Sequence, residues 1–119
     1  LLIGTEGGFY IFDPKSSTTE KYFHNPYDKF TLKSGRIEDL FIDKDSLLWL
    51  GVFQKGVACA DLANNNFNSF YNIPGDPSSL PTNSIMSFYE DRQGTLWMGT
   101  FESNIIRYNP NDKRYTIFK

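Results

Sequence analysis

The chain repeats itself. Leu48-Trp49-Leu50-Gly51-Val52 recurs as Leu96-Trp97-Met98-Gly99-Thr100, and Leu1-Leu2-Ile3-Gly4-Thr5 opens the chain as a third copy. The three glycines lie 47 and 48 residues apart. A near-constant period of that size describes an array of small supersecondary units that lean on one another. Such units are scaffold, and chemistry is grafted onto their loops.

The second and third copies align almost without gaps. Residues 37–43 match 85–91, 44–46 match 92–94, and the tryptophan segments follow. Next come 56–61 against 104–109, and last Phe67 and Phe70 against Tyr115 and Phe118. Each full unit therefore holds four apolar runs of strand length closed by turn residues. For the middle unit the pattern predicts strands at 37–42, 47–52, 56–61 and 67–71. Asp43-Lys44-Asp45-Ser46 and Asp91-Arg92-Gln93-Gly94 read as tight hairpin turns with aspartate at the start. Gly8, Gly56 and Asn104 share one repeat position, which predicts a left-handed backbone there in all three copies. No stretch carries a helical period.

Four-stranded units at this spacing suggest the blades of a β-propeller. The fold class is all-β: a propeller fragment of about three four-stranded antiparallel blades. A blade has neighbours on both faces, which explains runs such as Leu40-Phe41-Ile42 that are apolar on both parities. The expected organisation is a partial blade of three strands at 1–23, an inter-blade loop at 24–36, a blade at 37–71, a loop at 72–84 and a blade at 85–119. A closed propeller takes four to eight blades, so the chain reads as a segment of a longer one. In isolation its open faces should drive association.

Composition narrows the function. Twelve basic and fourteen acidic residues leave a net charge of −2 and no basic stripe, which argues against contact with nucleic acid. No apolar run has the length of a membrane span, and the opening residues lack the basic start and apolar core of a signal peptide. One cysteine, Cys59, excludes a disulfide within the chain.

Few residues look chemical. Trp49 and Trp97 sit within strands beside Gly51 and Gly99, which favours packing between blades over sugar stacking. Asp43-Lys44-Asp45-Ser46 is too short for a Ca²⁺ loop. Glu38, Asp39, Glu90 and Asp91 define no acid/base pair, His24 has no second ligand nearby, and Cys59 reads as a small buried residue. No catalytic residue, metal site or cofactor is expected, and the chain does not read as an enzyme. The loops are more promising. In a propeller the unit-to-unit connection and the loop between the second and third strands emerge on one face. That face would carry Arg36, Phe53, Gln54, Lys55, Asn83, Phe101, Glu102 and Ser103. Aromatic rings beside amide, carboxylate and guanidinium groups suit sugar recognition, and the first seven of these are the ligand-binding candidates.

The pattern I-x-x-F-x-x-D-x-x-G-x-L-W-x-G-T, carried by Ile85, Phe88, Asp91, Gly94 and Leu96 to Thr100, with Tyr108-Asn109-Pro110 following, resembles the two-component regulator propeller repeat. Leu2, Ser46, Asn104 and Leu62 depart from it. The resemblance implies the periplasmic sensor region of a hybrid two-component regulator of Bacteroides type. There, propellers precede a β-sandwich, a membrane helix and a histidine kinase, and oligosaccharides are detected to switch on their utilisation genes. It implies an oligosaccharide ligand, neighbouring blades and a homodimeric parent as partners. A scaffold for protein–protein contact without a small ligand is the alternative.

Overall fold

The computed structural model describes residues 1–27, 32, 35–64 and 66–119, with only the backbone of Asn66. The other positions of the 24–36 connection lie outside the described residues. Among the described residues, eleven strands form three antiparallel sheets in chain order. The first holds β1 (Leu2–Thr5), β2 (Gly8–Asp13) and β3 (Thr18–Tyr22). The middle sheet holds β4 (Ile37–Ile42), β5 (Leu48–Val52), β6 (Gly56–Asp61) and β7 (Asn66–Phe70). The third holds β8 (Ile85–Glu90), β9 (Leu96–Thr100), β10 (Ile105–Asn109) and β11 (Arg114–Phe118).

The sheets stack face to face, and burial follows from that. Every residue of β5 is buried, as is β6 from Gly56 to Ala60. One core lies between the first and middle sheets. There Phe9 stacks on Tyr22 at 4.6 Å and meets Phe67 edge-on at 6.0 Å, over Leu48 and Leu50. The other lies between the middle and third sheets, where Trp49 stacks on Phe70 at 5.9 Å and meets Tyr108 edge-on at 6.0 Å. The third sheet has one open face, and its strands alternate accordingly. Ile106 and Tyr108 point into the core while Ile105 and Arg107 point out. Period-two patterning thus appears where a face is free and vanishes where both faces are covered.

Close approach of the sheets explains Gly51. A Cβ there would lie 2.9 Å from the Ile85 carbonyl oxygen of the next sheet. The same seam carries a polar stitch, because Asp39 Oδ2 accepts the Phe88 N–H at 2.9 Å.

The aspartate turns repeat atom for atom. Asp43 Oδ1 accepts the N–H groups of Asp45 and Leu47 at 2.9 and 3.0 Å, and its Oδ2 accepts Trp49 Nε1–H at 2.9 Å. Asp91 binds Gln93 N, Thr95 N and Trp97 Nε1 in the same way, each at 2.9 Å. Trp49 thus packs between two sheets and is also clasped through its indole N–H, whereas Trp97, clasped in the same way, lies half-buried on the open face of the third sheet. Gly94 takes φ 80° in this turn, and Ser46 takes φ 63° in its place.

One expectation needs correction. Gly8 and Gly56 have φ 128° and 85°, but Asn104 is not left-handed; Ser103 is, at φ 66°. The cause is the Asn104 side chain itself: a Cβ at Gly8 or Gly56 would lie 2.1 or 2.2 Å from the Tyr22 or Phe70 carbonyl oxygen, so a residue with a side chain does not keep that backbone. The Thr100 hydroxyl accepts the Asn104 N–H and donates to the Asn104 carbonyl, both at 3.1 Å.

The inter-unit connections are anchored by leucines. Leu32 and Leu80, 48 residues apart, are each 1% exposed. The Leu80 carbonyl accepts Asn72 Nδ2–H at 2.9 Å. In the preceding connection His24 occupies the matching position, and its Nδ1 meets the Leu32 carbonyl. A carbonyl only accepts, so Nδ1 carries the proton.

Candidate functional site

Two loop systems meet at one end of the stack. The Phe53 N–H donates to the Arg36 carbonyl at 3.0 Å, and the Phe101 N–H donates to the Ser84 carbonyl at 3.0 Å. Each loop after a second strand is thereby pinned to the entry of its own first strand. These bonds join main chain to main chain, so they leave the side chains at all four positions free to vary.

Between the two copies lies a groove of about 290 Å³. The middle unit contributes Arg36, Glu38, Phe53 and Gln54, and the third contributes Ser84, Ile85, Met86 and Phe101. Four of the seven candidates, Arg36, Phe53, Gln54 and Phe101, therefore line one concavity. Lys55, Asn83 and Glu102 do not. Lys55 is exposed on the loop. Asn83 shapes the connection instead: its carbonyl accepts the Gly56 N–H at 3.1 Å and its Oδ1 accepts the Asn72 N–H at 2.7 Å. Glu102 accepts a hydrogen bond from the Thr82 hydroxyl at 3.1 Å. Its carboxyl is held below the usual range, chiefly by its own backbone N–H.

Glu38 and Met86 were missed as groove residues by reading the sequence. They are repeat equivalents, and each is the extra residue of a β-bulge. Ile37 and Asp39 pair with Val52 and Gly51, and Ile85 and Ser87 pair with Thr100 and Gly99, which leaves Glu38 and Met86 unpaired. A bulge re-aims the side chain it carries, here into the groove. No glycine or proline marks either bulge, so no residue type announces it.

The groove's charges are matched within it. Arg36 lies with its guanidinium carbon 4.3 Å from the Phe53 ring centroid, a cation–π contact. Its Nε is 2.8 Å from Glu38 Oε1. The pair is close but not aligned as a hydrogen bond, and Oε1, shut off from solvent, has no other partner among the described residues. The rest of the lining is largely apolar: Ile85 is buried, and the rings of Phe53 and Phe101 and the thioether of Met86 are exposed toward solvent. Apolar walls with a few directional polar groups suit a ligand that has an apolar face and hydrogen-bonding edges. Among the described residues, no three His, Cys, Asp or Glu side chains gather as a metal site.

Comparison with known proteins fixes the repeat. Residues 79–102, which span β8, β9 and their flanking turns, match the family described as two component regulator propeller. The third repeat unit thus matches a two component regulator propeller repeat over this segment. None of the curated proteins matches the chain. Among solved structures, the extracellular domain of BT3049 from B. thetaiotaomicron, described as a hybrid two component system, matches 99% of this chain with a TM-score of 0.85 and 23% identity. Two structures of the extracellular domain of BT4673 from the same organism match 97% of it, with TM-scores of 0.54 and 0.52 and identities of 17% and 16%. The chain spans 16% of the first structure and 22% of the other two. The likeness establishes a shared all-β fold of antiparallel sheets. Among the described residues no helix is long and apolar enough to cross a membrane.

Proposed function

We propose that this chain is part of the extracytoplasmic ligand-sensing propeller of a hybrid two-component regulator. Its inter-blade groove takes an oligosaccharide, and the signal passes to a histidine kinase elsewhere in the protein. The setting is periplasmic, the parent is a homodimer and the output is transcriptional. The similar structures, extracellular domains of B. thetaiotaomicron proteins described as hybrid two component or one component systems, support the setting. The groove supports the ligand class, and one observation carries it: equivalent positions of two adjacent blades converge on a single concavity walled by Phe53 and Phe101. A sugar ring offers an apolar face to such rings and hydroxyls to Arg36, Glu38 and Gln54. A ligand that bridges two blades also favours one inter-blade arrangement over others, and differential affinity is what a sensor needs to shift its equilibrium.

Calorimetry of the full-length protein against an oligosaccharide panel tests this. A binding member should lose about tenfold in affinity, about 1.4 kcal/mol, on Phe101→Ala. Uniformly flat titrations would favour the alternative, a scaffold for protein contact. That reading draws on the open face of the third blade, where Tyr89, Ile105 and Phe118 are exposed.

A further inference from the structure

We infer that the groove selects neutral ligands and discriminates against anionic ones; this rests on the ligand-binding reading above. Among the described residues of its lining, Arg36 is the cation. Its charge is already committed. Glu38 Oε1 lies 2.8 Å from Nε, and the face of the guanidinium lies on Phe53. The Glu38 side chain is only 12% exposed while that of Arg36 is 47% exposed, so the carboxylate is the sheltered partner and the guanidinium the one that meets water.

A carboxylated or sulfated sugar entering the groove would have to compete with Glu38 for Arg36. Success would leave Glu38 facing a second anion at close range in a partly desolvated site. That is the like-charge arrangement that costs an interface most. A neutral polyol meets no such barrier. Its hydroxyls donate to the carboxylate and accept from the guanidinium without separating the two. The third blade shows that the carboxylate is not demanded by the fold, because the same bulge position there carries Met86. Glu38 is thus a specificity-determining residue that acts by excluding charge.

The test is calorimetry on the full-length protein with neutral gluco-, manno- and xylo-oligosaccharides against oligogalacturonates of matched length. The expected result is that at least one neutral sugar binds and every uronate binds at least tenfold more weakly. The neutral affinity should change less than threefold between 0.05 and 0.5 M NaCl. Glu38→Gln, or Glu38→Met should the first variant fold poorly, should narrow the neutral-to-uronate gap by about tenfold by releasing Arg36. Tight uronate binding that weakens with salt and disappears in Arg36→Gln would overturn the inference while leaving the groove as a ligand site. Neutral binding indifferent to Phe53→Ala and Phe101→Ala, or no binding by either class, would instead overturn the site reading beneath it.

Discussion

The clasp between Asp43 and Trp49 is the place to test the account of how these blades cohere. Asp43→Ala removes an acceptor from three N–H groups at once. Two of these, on Asp45 and Leu47, belong to a turn that water can reach, and their loss costs about 1 kcal/mol together. The third is different. Trp49 is 7% exposed and wedged between Phe70 and Tyr108, so its Nε1–H is left buried without a partner, at about 1–3 kcal/mol. The total is about 3 kcal/mol. With a urea slope of about 2 kcal/mol per molar, the unfolding midpoint falls by about 1.5 M. The third blade supplies the control. Asp91 makes the same three bonds, but Trp97 lies on the open face, half-buried, and tilts against Phe118 alone at 5.8 Å. Water can replace Asp91 there, so Asp91→Ala is the milder variant. Far-UV circular dichroism in urea on both single variants, Trp49→Phe and the Asp43→Ala/Trp49→Phe pair reads the outcome. A coupling of about 1.5 kcal/mol is expected between Asp43 and Trp49. Equal losses at Asp43 and Asp91, or a coupling near zero, would refute the claim that the buried indole N–H sets the cost.

Three further outcomes follow from particular atoms. Ser46→Gly relieves a left-handed serine at φ 63° in a turn whose twin uses Gly94; after the entropy of glycine is set against the strain, a gain of about 0.5 kcal/mol should appear in the same urea assay. Gly51→Ala places a Cβ 2.9 Å from the Ile85 carbonyl and should cost about 1–3 kcal/mol by prising two blades apart, with a matching drop in thermal midpoint. Burial pushes the Cys59 thiol up to about 11 from 9.0, so alkylation by iodoacetamide at pH 8 should run at least tenfold slower in the folded protein than in urea, and stability should fall as pH rises from about 9 towards 11 because only the unfolded chain ionises easily there.

Much of this architecture was legible because its cause is periodic. Strands, turns and the two-sided burial of the middle blade all follow from apolar runs repeating every 48 residues, and the observed strands fall within a residue of the predicted ones. What could not be read has a common origin. The indole–carboxylate clasp needs Trp49 to fold back over a turn six residues earlier, and that distance in sequence says nothing about direction in space. The bulges that aim Glu38 and Met86 into the groove arise from a register shift between strands, a property of pairs of segments and not of either alone. Asn104 was misread because that backbone position leaves no room for a Cβ beside the neighbouring strand's carbonyl, as Gly8 and Gly56 show, a constraint set by strand pairing and not by the sequence around position 104.

The two ends of a blade solve different problems, and this is why one propeller end can evolve a site. At the end holding Asp43 and Asp91, side chains hold the turn: carboxylate, indole and left-handed residue are each bonded or strained into place, so identity is constrained. At the opposite end, main-chain bonds tie each loop to the entry of its first strand, beside the side-chain bonds of Thr100 and Glu102. Phe53 N to Arg36 O and Phe101 N to Ser84 O form whatever the side chains are. Arginine can therefore stand where the next repeat has serine, and glutamate where it has methionine, at little cost to the fold. If so, exchanging Arg36 and Glu38 for Ser and Met together should leave the urea midpoint nearly unchanged while altering which sugars bind. A loss of stability comparable to that of Asp43→Ala would show that the groove residues also carry the blade, and the division of labour would fail.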